Sequence, residues 1–287
     1  MGTRHSDRHL IDPWVHVQRI VAQSGTSFLW GMNVLPAERR RAMYAIYAFC
    51  REVDDIVDQP GHVANKKQAL DAWRTEIGQL YAREPRWPTT RALKYAVQRF
   101  ELPQEEFMAV IDGMETDAAQ TLEMQTIGDL LTYCRRVAGA VGVLSIHVFG
   151  LPRIPGVLMA ELLGNAFQLT NILRDLKEDA DRQRLYVPAR LLAKHDVAPR
   201  RFEDVFEQPG FVTACEELAD LTRNFYVKAD KLIRQLKWRQ TRPVIMMRAV
   251  YRATFERLEK RGWDEWDSPV HLSRSRKFWL AVSRGLV

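Results

Sequence analysis

Two carboxylate-rich stretches, far apart in the chain, dictate the geometry that any fold of this sequence must supply. The first reads Arg51-Glu-Val-Asp54-Asp55-Ile-Val-Asp58, the second Gln168-Leu-Thr-Asn171-Ile-Leu-Arg174-Asp175-Leu-Lys-Glu178-Asp179. Side chains three or four apart share one helical face, so Tyr47, Arg51, Asp54 and Asp58 form one stripe. Gln168, Asn171, Asp175 and Asp179 form another. Like charges at this spacing cost a bare helix about 0.2–0.5 kcal/mol per pair, and something cationic has to offset them. Oxygen donors without His or Cys argue against zinc and for Mg²⁺ shared with diphosphate oxygens. Mn²⁺ has the same donor preference. Two solvated acidic helix ends are the ordinary alternative, but Arg, amide and carboxylate then fall in register twice by coincidence. The fold is therefore expected to oppose two helices across a cavity.

Helical periodicity dominates the rest of the chain, with Pro and Gly as punctuation and no alternating strand pattern. A helix after Pro36 is predicted to run through Ala42, Ile46 and Phe49 to Asp58, stopped by Pro60-Gly61. Further helices are predicted over residues 66–82 and 90–100, from Pro103 towards Thr121, and over 127–149 as one nearly all-apolar element. Pro155 opens the helix bearing the second cluster, and residues 184–188 are extended because the position before Pro188 disfavours helix. Helices over 212–236 and 243–261 complete an all-α class. No repeat or linker divides the chain, so residues 1–287 read as one domain with a core of about 15–265.

Composition narrows the function. An apolar fraction of 46% with 27% charged residues excludes disordered and membrane-spanning classes. The net charge of +6 suits phosphate-bearing ligands, anionic lipid or nucleic acid without choosing among them. Residues 1–14 carry no apolar signal region, and the apolar run 137–149 falls short of the ~20 residues a bilayer needs. Cys50, Cys134 and Cys215 have no metal-type spacing and read as core residues in a reducing, cytoplasmic setting. No glycine-rich phosphate loop, dinucleotide fingerprint or nucleophile elbow occurs. His147 reads as core, and the tryptophans as packing or surface anchors.

The helix carrying Tyr133, Val137, Ala138, Gly139, Val141 and Gly142 adds a second signal. Glycine inside a helix costs roughly 1 kcal/mol relative to Ala, so two of them imply close approach, by a neighbouring helix or by an apolar ligand. Tyr133 is either a partnered core tyrosine or a hydroxyl that orients a diphosphate or relays a proton.

These residues carry a resemblance to the squalene/phytoene synthase family of head-to-head prenyl transferases. The stretches 47–58, 133–139, 168–179 and 184–188 are its markers, and it extends from about Ser24 to Tyr251. Within the family, the stretch from Leu35-Pro36 to Asp58 most resembles the bacterial branch that makes presqualene diphosphate for hopanoids. The resemblance implies an isoprenoid-synthase helical bundle with a central apolar cavity walled by Phe28, Val137, Ala138, Val141 and Gly142. It implies Mg²⁺ on Asp54, Asp58, Asn171, Asp175 and Asp179. Substrate contacts are implied from Ser24, Gly25, Thr26, Ser27, Tyr47, Arg51, Gln168, Asn171, Arg174, Arg184 and Tyr251. Tyr133, Asp54, Asp58 and Asp175 become the catalytic set. The chain departs from the family near its last helix, where Pro269-Val-His-Leu follows Ser268 and a basic residue is common; Arg274, Arg276 or Lys277 is the expected substitute.

The implied reaction joins two farnesyl diphosphates into presqualene diphosphate, with Tyr133 or the released diphosphate as base. Phytoene synthesis from two geranylgeranyl diphosphates and squalene or dehydrosqualene synthesis are the alternatives within the family; NADPH is not indicated. A basic nucleic-acid-binding or scaffold protein is the rival from another class, but no such motif is present. An inactive partner subunit is disfavoured because every ligand position is filled. Prenyl diphosphates, downstream pathway enzymes and, through Phe278-Trp279-Leu280, the inner membrane face are the expected partners.

Overall fold

The computed structural model describes residues 12–25, 28–198 and 202–285. Thr26 and Ser27 lie outside them. Asp12 caps α1 (Pro13–Ser24) by accepting from the Trp14 and Val15 amides. After α2 (Phe28–Asn33) comes α3 (Ala37–Asp58), with Pro36 at its N-cap rather than in the first turn. Then follow α4 (Val63–Ala82), α5 (Pro88–Phe100) with Pro88 in its first turn, and α6 (Gln104–Asp117). Thr126 and Asp129 form a reciprocal capping box at the start of α7 (Ile127–Cys134). A π-helical turn, Arg135–Gly139, joins it to α8 (Ala140–Phe149), which Gly150 closes at φ +69°. The second half comprises α9 (Arg153–Arg174), α10 (Leu176–Asp181), α11 (Ala189–Lys194), α12 (Pro209–Ile233), α13 (Trp238–Arg261) and α14 (Arg274–Gly285).

One contiguous apolar core threads this set, with Phe49, Phe107, Phe211, Tyr226 and Phe255 fully buried. Helix α9 lies at its centre, between α8 on one side and α12 on the other. The α8–α9 crossing is close because small residues meet there. A Cβ added to Gly164 would stand 2.7 Å from the Gly139 backbone, and one added to Gly142 would stand 2.9 Å from Ala160 Cβ. The intrahelical glycines thus answer first to helix packing. Gly142 and Gly164 also line the cavity.

Four expectations need correction. The apolar element 127–149 is not one α-helix: the π-turn inserts an extra residue at Arg135–Gly139, a device common at functional sites. The second carboxylate cluster is not on one helix either, because α9 ends at Arg174 and Asp175 (φ −101°, ψ 16°) is the joint to α10. Its register survives because the Asp175 amide bonds the Asn171 carbonyl and the Asp179 amide bonds the Asp175 carbonyl, both at 2.8 Å. The helix after Pro103 stops at Asp117. Leu122–Glu123 (β1) instead pairs in parallel with Arg184–Leu185 (β2), which satisfies backbone groups that a continued helix would have left beside an irregular segment. Finally, α13 starts at Trp238 and contains Pro243 in its interior.

Among the described residues no helix is long and apolar enough to cross a membrane. All three cysteines are free; Cys134 and Cys215 are buried in the core as expected, whereas Cys50 is only half-buried.

Candidate active site

Three helices run in the same sense from an apolar end to a polar end. On α3, Ile46 and Tyr47 precede Arg51, Asp54 and Asp58; on α9, Leu163 and Phe167 precede Gln168, Asn171 and Arg174; on α13, Val244 and Met247 precede Tyr251 and Thr254. Their apolar halves enclose a chamber of about 240 Å³, and their polar ends surround a mouth of about 600 Å³. Val137, Gln168 and Asn171 line both. The two carboxylate stripes therefore face one cavity, as their spacing required.

At the mouth the acidic groups are interleaved with arginines. Arg51 pairs with Asp55 at 2.6 Å and reaches Asp54 at 3.5 Å. Arg174 binds Asp175 through two hydrogen bonds of 2.7 and 2.6 Å. Asp58 accepts from Arg184 at 3.0 Å and Arg182 at 3.1 Å. Crowding remains nonetheless. Burial, then the charge of Asp58, pushes the Asp54 carboxyl up to about 6, and burial with Asp175 beside it pushes Asp179 up to about 8.

Beneath the mouth lies a buried network. Asp117 accepts from the Tyr133 hydroxyl at 2.8 Å and from the Tyr186 hydroxyl at 2.7 Å, and the two rings stack with centroids 5.1 Å apart. Arg184, only 8% exposed, donates to the backbone carbonyls of Val57 and Asp117. Burial raises Asp117 to about 6, partly countered by the Tyr186 hydroxyl and Arg184; burial and Asp117 together hold Tyr133 well above the usual phenol range. Tyr133 is thus a neutral hydroxyl that donates to a carboxylate.

Other expected residues divide by depth. Tyr47, Tyr251 and Phe28 line the chamber together with Val137, Ala138, Val141 and Gly142. Phe167 stacks on Tyr251 at 4.2 Å, and Phe28 lies 5.8 Å from the same ring. Ser24 Oγ donates to the Val21 carbonyl, and Gly25 ends α1 in a left-handed conformation; neither lines the mouth or the chamber. Of the basic residues near the last helix, Lys277 lines the mouth and Arg276 is exposed on α14. Asp117 and Arg182 were missed by the sequence reading, and Tyr186 was seen only as part of an extended connection. Asp117 carries no periodic signal, because its partners lie 16 and 69 residues away.

The donor set suits a hard divalent cation. Asn171 Oδ1 is buried, has no hydrogen-bond partner and borders the cavity. Among the described residues no three His, Cys, Asp or Glu side chains already gather around one point. Mg²⁺ generally takes one or two carboxylates, with water and substrate phosphates as its other ligands.

The chain matches the squalene/phytoene synthase family over residues 21–276. It is 41% identical to a presqualene diphosphate synthase of Zymomonas mobilis over 258 residues, covering 90% of this chain and 88% of that one. It is 31% identical to a 15-cis-phytoene synthase of Synechococcus elongatus, covering 93% and 91%. A solved dehydrosqualene synthase superposes with a TM-score of 0.82 at 27% identity, covering 94% of each chain. With that breadth of sequence match over the two facing stripes and the chamber between them, the chain belongs to the squalene/phytoene synthase family.

Proposed function

We propose that the protein joins two farnesyl diphosphates head to head into presqualene diphosphate, with residues 15–265 as the core of one catalytic domain. The observation that carries this is the pair of oxygen-rich stripes facing one mouth above an apolar chamber; the higher identity to a presqualene diphosphate synthase than to a phytoene synthase supports the chain length.

Asp54, Asp58, Asn171, Asp175 and Asp179 are the residues that would hold Mg²⁺. The metal, when bound, supplies charge neutralisation for the leaving diphosphate. Arg51, Arg174, Arg182 and Arg184 bind the two diphosphates, and charge that develops on the leaving group is met by guanidinium groups already in place. As the donor ionises to an allylic cation, the double bond of the acceptor attacks its C1, and loss of one proton closes the cyclopropane. The chamber, lined by Met43, Ile46, Leu163 and Phe167, excludes the water that would trap the cation. Tyr133 can take up the departing proton only by passing its own to Asp117, with which it is already hydrogen-bonded. The released diphosphate is the competing base.

Purified protein incubated with farnesyl diphosphate and Mg²⁺ is expected to release diphosphate and form presqualene diphosphate. Absence of release overturns the reading, and phytoene from geranylgeranyl diphosphate as the preferred product reassigns it within the family. Asp117→Asn is expected to lower kcat by about 10²-fold, in the range of lost acid–base assistance, with KM little changed. A matching rise in KM alone would make the network a binding element.

A further inference from the structure

The chamber has a second end, away from the carboxylates, and the side chains gathered there have no part in the chemistry above. The start of α3, the end of α8 and the start of α13 meet around a separate basin of about 290 Å³, lined among others by Leu35, Arg39, Trp238, Arg239 and Arg242. Phe149, 3% exposed, lines both this basin and the apolar chamber. Two side-chain bonds fix the end in place. Arg39 donates to the Phe149 carbonyl and Gln240 to the Gly150 carbonyl, each at 2.8 Å.

Its surface is both cationic and apolar. Between residues 231 and 255 the chain holds Lys or Arg at seven positions and no Asp or Glu. Arg248 and Arg252 are paired with Asp230 and Glu256, but Lys237, Arg239 and Arg242 have no ion pair among the described residues. Arg242 lies over the Trp238 ring at 5.6 Å, and Trp238 itself is 38% exposed. Beyond the Gly150 turn, Ile154 and Leu158 stand one turn apart on α9 and are 84% and 48% exposed. Unpaired lysine and arginine around an interfacial tryptophan, with bare aliphatic side chains beside it, is the combination that binds anionic lipid headgroups and dips into the acyl boundary.

We propose that this end of the molecule docks on an anionic lipid bilayer. The charge complementarity selects lipid of that sign, and the position explains why the surface lies here: Phe149 lines both this basin and a chamber built for hydrocarbon. Docking at this end leaves the carboxylate mouth in water, where diphosphate-bearing substrates and Mg²⁺ are available. The exposed Phe278 and Trp279 of α14 lie with Lys277 near the mouth, so they would turn the opposite end to the bilayer. The proposal is independent of which prenyl chains the enzyme joins.

The test is co-sedimentation of the full-length protein with phosphatidylglycerol-rich vesicles and with pure phosphatidylcholine vesicles. The protein is expected to bind the anionic vesicles only, with affinity falling as salt rises. Lys237→Gln with Arg239→Gln is expected to weaken binding roughly thirtyfold, while activity on detergent-dispersed substrate stays unchanged. Arg83→Gln with Arg91→Gln removes equal charge from exposed positions just after α4 and on α5 and is expected to have a much smaller effect. Equal losses from the two pairs would reduce the interaction to net charge and overturn the proposal. So would loss on Trp279→Ala alone, or no binding to anionic vesicles at all.

Discussion

Alanine in place of Asp54 or Asp175 is expected to lower kcat by about 10²–10³-fold while leaving the fold intact. That magnitude is what the loss of one preorganised electrostatic group at a developing charge typically costs. The structural cost is small for identifiable reasons. Asp54 and Asp175 have side chains 41% and 29% exposed at the rim of a solvated mouth, and ion pairs in such positions contribute about 0–1 kcal/mol. Asp54 adds a sharper criterion. Burial and the charge of Asp58 push its carboxyl in the fold up to about 6, above an unfolded aspartate, so at neutral pH the ionised group opposes folding. Without Mg²⁺, Asp54→Ala should therefore melt no lower than the parent protein. Thermal melts and far-UV circular dichroism alongside steady-state kinetics would check this. A large fall in Tm for both variants, with activity lost only in proportion, would make the carboxylates structural.

A large loss of stability is expected from Gly164→Leu. A Cβ at this position already meets the Gly139 backbone at 2.7 Å and the Ala138 carbonyl carbon at 3.1 Å, and backbone cannot swing aside as a side chain can. Overpacking of this kind costs typically 1–3 kcal/mol, and the larger side chain belongs at the upper end. For a chain of this size, about 3 kcal/mol corresponds to a fall in Tm of roughly 6 °C or more. Gly78 on α4 provides the control, because nothing lies within 4 Å of its Cβ position. Gly78→Ala is expected to be neutral or stabilising by up to ~1 kcal/mol through helix propensity. Equal melting behaviour of the two variants would show that the α8–α9 crossing is looser than its geometry states.

Both predictions depend on features that differ in how openly the sequence announces them. The stripes on α3 and α9 are legible because a periodicity of three and four is local, and each element needs only its own residues to declare its face. Resemblance to a known family then supplied the ligand roles that spacing alone leaves open. The glycines at 139 and 142 were legible as sites of close approach, but not which partner approaches; that partner is Gly164 and Ala160 on a helix about twenty residues away. The Asp117 network was illegible, since a lone aspartate at the end of α6 gains meaning only when β1 and β2 pair and bring Tyr186 beside it. The π-turn and the joint at Asp175 were hidden for the opposite reason. A helical pattern persists through both, and only the backbone hydrogen bonds reveal the break.

The shared polarity of α3, α9 and α13 has a consequence for regiochemistry. A chamber whose lining turns polar at one end only admits an amphiphile in a single orientation, since a diphosphate lodged among Met43, Phe149 and Met159 would forfeit its hydration at a cost of several kcal/mol per ion. Two such molecules taken up together must lie side by side, hydrocarbon tails inward and C1 carbons level with each other. The dielectric asymmetry of the container thus brings the two diphosphate ends together before any catalytic group acts.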